Sequence, residues 1–340
     1  MNAMRHLVAA LRTPQSIATL NGDQWSALVS VARGEMLLAT LAHRLAGGQG
    51  GGALPPSIAA LFAAECAHAD QMQRHALWEV EMAHRALSPI GVPVILLKGS
   101  GYAARNLSAA AGRHIGDLDI LVPRARMADV EAALLSAGWD WVKNDPYDQA
   151  YYRQWMHELP PLIHGARDRM IDVHHNILPL TARHHIDADA LIERAQPAAD
   201  GVMTLDPIDR LIHCAVHMLA DGDLAGGVRN LWDFHCLSGD AAAIDVAWQA
   251  QLMTRAADFG VAAAVSRALR LSAALYGDGA VLTLTDRLFI RRLLARDAMG
   301  RPSRPVTQAA FYIRSHFLRM PPILRARHLW RKWRMARTKP

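Results

Sequence analysis

Three aspartates give the first chemical signal in this 340-residue chain: Asp117 and Asp119 in the segment DLDILV, and Asp172 in IDVHH. Alternate side chains of a β-strand share a face, so Asp117 and Asp119 point the same way. Two acids that close raise each other's pKa unless a cation lies between them, and a divalent metal ion fills that role best. An Asp-x-Asp at a strand end can also cap a loop or pair with arginine. Asp172 sits on a second expected strand over 170–175, where Ile171 and Val173 alternate with Asp172 and His174. It can join the first pair if the two strands are neighbours in a sheet. His174, on the same face, is suited to orient a carboxylate or to touch an acceptor.

Upstream, Leu97-Lys-Gly-Ser-Gly101 has the pattern of a strand breaking into a helix. Gly99 allows close backbone approach, and the free amides of a helix start, with the Ser100 hydroxyl, suit a phosphate. Arg113, four residues before Asp117, offers a planar guanidinium for phosphate oxygens. Lys98 is one of only four lysines among 37 basic residues, and it can either contact phosphate or pair with the carboxylates. Further on, His213 and His217 are four apart, a spacing compatible with zinc if Asp209 joins them. Packing is the simpler role for that trio. For His217, Arg229 and Asp233, lining the catalytic cleft stands against core packing and surface charge. The adjacent pairs His174–His175 and His184–His185 would point to opposite faces of a strand, which argues against a shared ion.

The elements that must position these groups follow from the pattern of the chain. Residues 1–88 read as helices, the longest from 56 to 87, rich in Ala, Glu, Gln, Met and Arg without internal Gly or Pro. The block 89–178 alternates strands and helices. Its expected strands are 92–97, 117–122, 139–142, 150–155 and 170–175, with helices at 102–107 and 125–137. From Thr181 to 297 the pattern is helical again, interrupted by a loop at 222–227, and 298–340 is a basic, aromatic tail. The expected fold is therefore α+β, a small mixed sheet flanked by N- and C-terminal helical regions.

The ordered set ILLKGSGYAARNL, RHIGDLDILV and IDVHHNIL resembles the polymerase β-type nucleotidyltransferase superfamily. More narrowly, it resembles bacterial nucleotidyltransferase family proteins with LKG, R…DxDLLV and DxHW-like motifs, over roughly residues 60 to 240. The later segments His213–His217 and Asn230–Asp233 also resemble that family's pattern. His175 stands where an aromatic is often found, and the gap from Ser100 to Asp117 is longer than the commonest superfamily spacing. The resemblance implies that Asp117 and Asp119 hold two Mg2+ ions on a nucleoside triphosphate. It implies too that Asp172 ligates the ion nearest the acceptor and helps deprotonate its hydroxyl. Ser100 and the Gly99 amide would then hold the β and γ phosphates, and an NMP would pass from an NTP, with ATP the expected donor, to a hydroxyl-bearing small molecule, peptide or saccharide. Pyrophosphate would be released. Two alternatives remain open: the same fold working on a peptide or polysaccharide with a sugar-nucleotide or other nucleotide donor, and a non-catalytic module binding through its tail.

Composition bounds these readings. At 51% hydrophobic and 20% charged residues the chain folds around a core rather than remaining disordered. Three cysteines, Cys66, Cys214 and Cys236, form no paired motif, which suggests a reducing compartment and a cytoplasmic location. No secretory leader and no membrane span are expected. The formal charge of +6 points toward nucleic acid until it is divided. Eleven of the 37 basic residues follow Asp297 and no acid does, so residues 1–297 keep 26 basic against 31 acidic side chains, a net of −5. The tail, with Phe311, Tyr312, Phe317, Trp330 and Trp333 among its arginines, can hold an anionic partner or dock on the acidic body.

Overall fold

A computed structural model of the chain describes residues 3–46, 54–198 and 201–319. Four helices come first: α1 (Ala3–Arg12), α2 (Gly22–Gly34), α3 (Leu38–Ala46) and α4 (Pro56–Leu87). Pro55 and Pro56 fit the start of α4, where a missing N–H costs nothing. The mixed block holds β1 (Ile95–Leu96), α5 (Lys98–Ala104), β2 (Asp117–Leu121), α6 (Met127–Ser136), β3 (Trp139–Trp141), α7 (Pro146–Trp155), β4 (Leu162–His164) and β5 (Arg169–His174). Then follow α8 (Ala188–Glu193), β6 (Gln196–Pro197), β7 (Met203–Thr204), α9 (Pro207–Val216), α10 (Gly227–Ile244), α11 (Trp248–Asp258), α12 (Ala262–Leu275), α13 (Leu284–Leu293) and α14 (Pro305–Arg319). No helix among the described residues is long and apolar enough to cross a membrane.

The fold is α+β. One seven-stranded mixed sheet runs β3-β4-β5-β2-β1-β7-β6, with β2 parallel to β5 and β1 parallel to β7. Period-two alternation gives the sheet two unlike faces. Leu96, Leu118, Ile120, Ile171 and Val173 enter a small core with Val80, Ala83 and Leu87 of α4 and Val130 and Leu134 of α6. The opposite face carries Asp117, Asp119, Asp172 and His174. Ile95 and Leu121 leave that face for a larger core, which α1–α3 share with α9–α13.

Three local expectations are corrected. Residues 150–155 are helical, not a strand. Tyr and Trp favour strands, but Pro146 opens a helix, the Asp145 carboxylate accepts from the Tyr147 amide at 2.9 Å, and Tyr147 meets Tyr151 one turn on. The stretch after Thr181 is not wholly helical: α8 starts at Ala188, and the two-residue strands β6 and β7 extend the sheet. The helix expected from Tyr102 begins earlier, at Lys98. Of the tail, Trp330 and Trp333 lie outside the described residues, whereas α14 docks on the body. Phe311 is buried edge-on against Phe289, and Arg314 lies over the Phe289 ring and donates to the Leu219 carbonyl at 2.6 Å.

Candidate active site

Parallel pairing of β2 with β5 sets Asp119 directly opposite Asp172, with Asp117 two residues earlier on the same face. One oxygen from each of the three carboxylates lies within 4.8 Å of the others. Asp117 and Asp119 share a face as the sequence alternation requires, and the strand adjacency on which Asp172's joining them depended is present. Pro123 follows the end of β2, so the acids stand on a short strand whose ladder is fixed by β1 and β5 on either side.

Lys98 sits where β1 turns into α5. Its φ of +46° is a left-handed conformation uncommon for a residue with a side chain, a strain of about 1 kcal/mol tolerated where position matters. From there its Nζ donates to Asp119 Oδ1 at 2.7 Å. His174 Nε2 lies 2.9 Å from the same oxygen. Burial alone would push the Asp119 carboxyl up, but Lys98 and His174 together hold it well below the usual carboxylate range. Its neighbours fare differently. Burial, and then the Asp119 charge, raise Asp117 above its ordinary value. Burial, then Asp119 and Glu158, push Asp172 up to about 7. Asp172 Oδ1 is also buried with no hydrogen-bond partner among the described residues. One lysine charge and one histidine contact thus serve one of three acids and leave an all-oxygen donor set short of positive charge, which fits a hard divalent cation such as Mg2+.

A cavity of about 240 Å3 adjoins these acids, lined by Lys98, Glu158, Asp172, His174, His213 and His217 among others. It brings His213 of α9 and His217 to the sheet. His217 opens a single wide helical turn that continues α9, the π-helical stretch His217–Asp221, a distortion frequent near functional sites. Burial keeps both imidazoles neutral, His213 well below its usual value and His217 down to about 3, with the Lys98 charge as the next influence on His217. Asp209 does not join them. It is buried beside Arg255, whose Nε donates to it at 2.9 Å, so the zinc trio with His213 and His217 does not assemble. His175 lies just beyond the end of β5 and belongs to neither metal-capable cluster among the described residues.

Gly99, Ser100 and Gly101 are buried rather than displayed. A Cβ on Gly99 would come within 2.9 Å of Arg113 Nε, and one on Gly101 within 2.9 Å of the Leu96 carbonyl oxygen. The glycines therefore serve close packing of the chain on itself, and Ser100, only 1% exposed, has a hydroxyl with no partner among the described residues. Arg113 pairs through Nη1 with Asp233 of α10 and lies over the Tyr102 ring, so its charge is already matched. Arg229, expected at the cleft, instead donates to Thr40 Oγ1 at 2.9 Å and to the Met36 carbonyl, tying α10 to α3. Sequence reasoning missed Glu158 and His157. Neither lies in a strand, and the isolated antiparallel bridge between Glu158 and His174 brings them to β5.

Residues 21–277, about three quarters of the 340-residue chain, match a family model described as an uncharacterised nucleotidyltransferase. No curated protein and no solved structure matches the chain.

Proposed function

The chain belongs to that family of uncharacterised nucleotidyltransferases, and on this premise we propose that it moves an NMP from an NTP, ATP first among them, to a hydroxyl-bearing acceptor. The observation that carries this reading is the carboxylate trio gathered on one sheet face, with Asp119 buried and one Asp172 oxygen buried without a hydrogen-bond partner among the described residues. Asp117, Asp119 and Asp172 would hold Mg2+, which supplies charge neutralisation for the triphosphate and polarises the reacting phosphoryl group.

The remaining work falls to the chain itself. Asp172, on the wall of the cavity, would in this reading take the proton of the acceptor hydroxyl. The acceptor oxygen then bonds to the α-phosphorus as the bond to the bridging oxygen breaks, and pyrophosphate leaves with that electron pair. Lys98 keeps Asp119 ionised through its 2.7 Å contact and brings a cation to the side where negative charge gathers. His174 fixes the same carboxylate from the other side. Ser100 keeps its hydroxyl buried within the turn, and Arg113, held by Asp233, supports that turn at Gly99. His217 lines the cavity as a neutral imidazole able to accept a hydrogen bond from the acceptor.

The test is transfer of label from α-labelled ATP, in Mg2+, to small-molecule, peptide and saccharide fractions, read as NMP adducts by mass spectrometry together with pyrophosphate release. Both signals should vanish in Asp117→Ala and Asp119→Ala. Undiminished transfer in both variants would sink the reading.

A further inference from the structure

Beside the carboxylate trio lies a second cluster of different chemistry. His157, Glu158 and His174 each offer one ligand atom, and the three atoms lie within 4.8 Å of one another. Backbone pairing explains the proximity: the His157 carbonyl accepts from the His175 amide at 2.8 Å, and the Leu159 amide donates to the Val173 carbonyl at 2.9 Å. The segment 157–159 is therefore strapped along the end of β5, with Glu158 opposite His174.

The imidazoles are oriented as ligands are. His174 turns Nε2 to Asp119 and so presents Nδ1 toward Glu158, whose Oε2 is 3.2 Å away. One ring nitrogen held by a carboxylate, with the other turned toward a second potential ligand, is the arrangement that fixes tautomer and aim in metal-binding histidines. At 3.2 Å the Nδ1 contact satisfies the distance of an ion pair but not the angles of a hydrogen bond. Both His174 Nδ1 and His157 Nδ1 are thus buried without a hydrogen-bond partner among the described residues, on side chains from residues only 3% and 9% exposed. The two rings lie 5.2 Å apart. Burial also holds His157 neutral, with its lone pair available. Orphaned buried nitrogens are rare, and two on neighbouring rings that share a three-residue ligand cluster with Glu158 call for a common partner.

We propose that His157, Glu158 and His174 form a site for a borderline transition-metal ion, Zn2+ first, separate from the carboxylate trio. Two imidazoles and one carboxylate suit such an ion and not Mg2+, which takes oxygen donors. The cavity alongside, with His213 and His217 on its wall, leaves room for a fourth ligand from water or substrate.

Chelator-treated full-length protein, titrated with Zn2+ in excess Mg2+ by calorimetry and assayed for retained metal after desalting, tests the proposal without nucleotide, so its outcome is independent of the transfer reaction. One Zn2+ per chain should remain, with affinity falling by about a hundredfold or more in His157→Ala and in Glu158→Gln, and unchanged in Asp117→Asn. The melting temperature of the wild type should rise with Zn2+ and that of His157→Ala should not. Co2+ in the wild type should give an intense visible spectrum of nitrogen-containing, low-coordinate geometry, a readout that needs no variant to fold. Zn2+ displaced by Mg2+, or lost in Asp117→Asn but kept in His157→Ala, or a weak oxygen-only Co2+ spectrum, overturns the proposal.

Discussion

Asp172 and Asp286 are two acids of one chain with opposite surroundings, the first half-buried at a cavity and the second wholly buried. Asp286, in α13, has no exposed side-chain surface. It accepts from Arg270 Nε at 2.8 Å, from Arg270 Nη2 and Arg267 Nε at 3.1 Å each, and from the Thr283 amide at 3.1 Å. The hydrogen bonds from Arg270 above all hold its carboxyl well below the usual range. Asp172 keeps an oxygen with no partner and is raised to about 7 by burial and by Asp119 and Glu158. A fully matched acid is a strut whose removal harms the fold. An unmatched one burdens the fold and is retained for a ligand the chain alone does not supply.

The largest effect expected from this contrast is catalytic. Asp172→Asn should reduce transfer by about a thousandfold or more, several kcal/mol of transition-state stabilisation. The metal-free protein should melt no lower, because the change removes a charge that burial resists. Asp286→Ala should do the reverse, costing roughly 3 kcal/mol of stability by stranding two arginines while leaving activity per folded molecule intact. Activity lost from a folded Asp286→Ala protein, or a collapsed Asp172→Asn, would break the comparison. Lys98→Met comes next. Without its Nζ on Asp119, transfer and Mg2+ affinity should each fall about 10- to 100-fold, the scale of losing a group that orients a ligand.

The two acids should also oppose each other in pH. Asp172 has a folded pKa above its unfolded value near 4, so the native state binds the extra proton between about 4 and 7. Its contribution to metal-free stability is present below that window and is lost as pH rises through about 7. Asp286, depressed, contributes stability above the ordinary carboxylate range that is lost as pH falls below it. Denaturation curves of wild type, Asp172→Asn and Asp286→Ala across pH 2–8 separate the two slopes, the first between about 4 and 7 and the second below about 4. Mg2+ affinity should weaken as pH falls below about 7, approaching tenfold per unit as Asp172 takes up its proton, and level off above.

What the sequence made legible was periodic and local. Alternation placed Asp117 with Asp119 and Asp172 with His174, and the strand-to-helix break marked Lys98 and Ser100. Partners far along the chain were hidden. Nothing near Arg113 announces Asp233, 120 residues on, nor does α9 announce that Arg255 takes Asp209 from its histidines. Glu158 and His157 were invisible because they reach β5 through an isolated bridge, next to a segment whose aromatics mimic a strand. The two-residue strands β6 and β7 are too short to leave a periodic trace.

The smallest effect sharpens the structural half of the contrast. Thr283 and Asp286 form a reciprocal cap at the start of α13, the Thr283 hydroxyl accepting from the Asp286 amide at 3.1 Å. Thr283→Ala removes the cap and leaves both arginine pairs, so it should cost about 1 kcal/mol in the unfolding midpoint and nothing in activity. The difference between this loss and that of Asp286→Ala isolates the arginine pairing. Equal losses would mean that Asp286 serves α13 by capping alone, and its matched charge would then say nothing about why Asp172 is left unmatched.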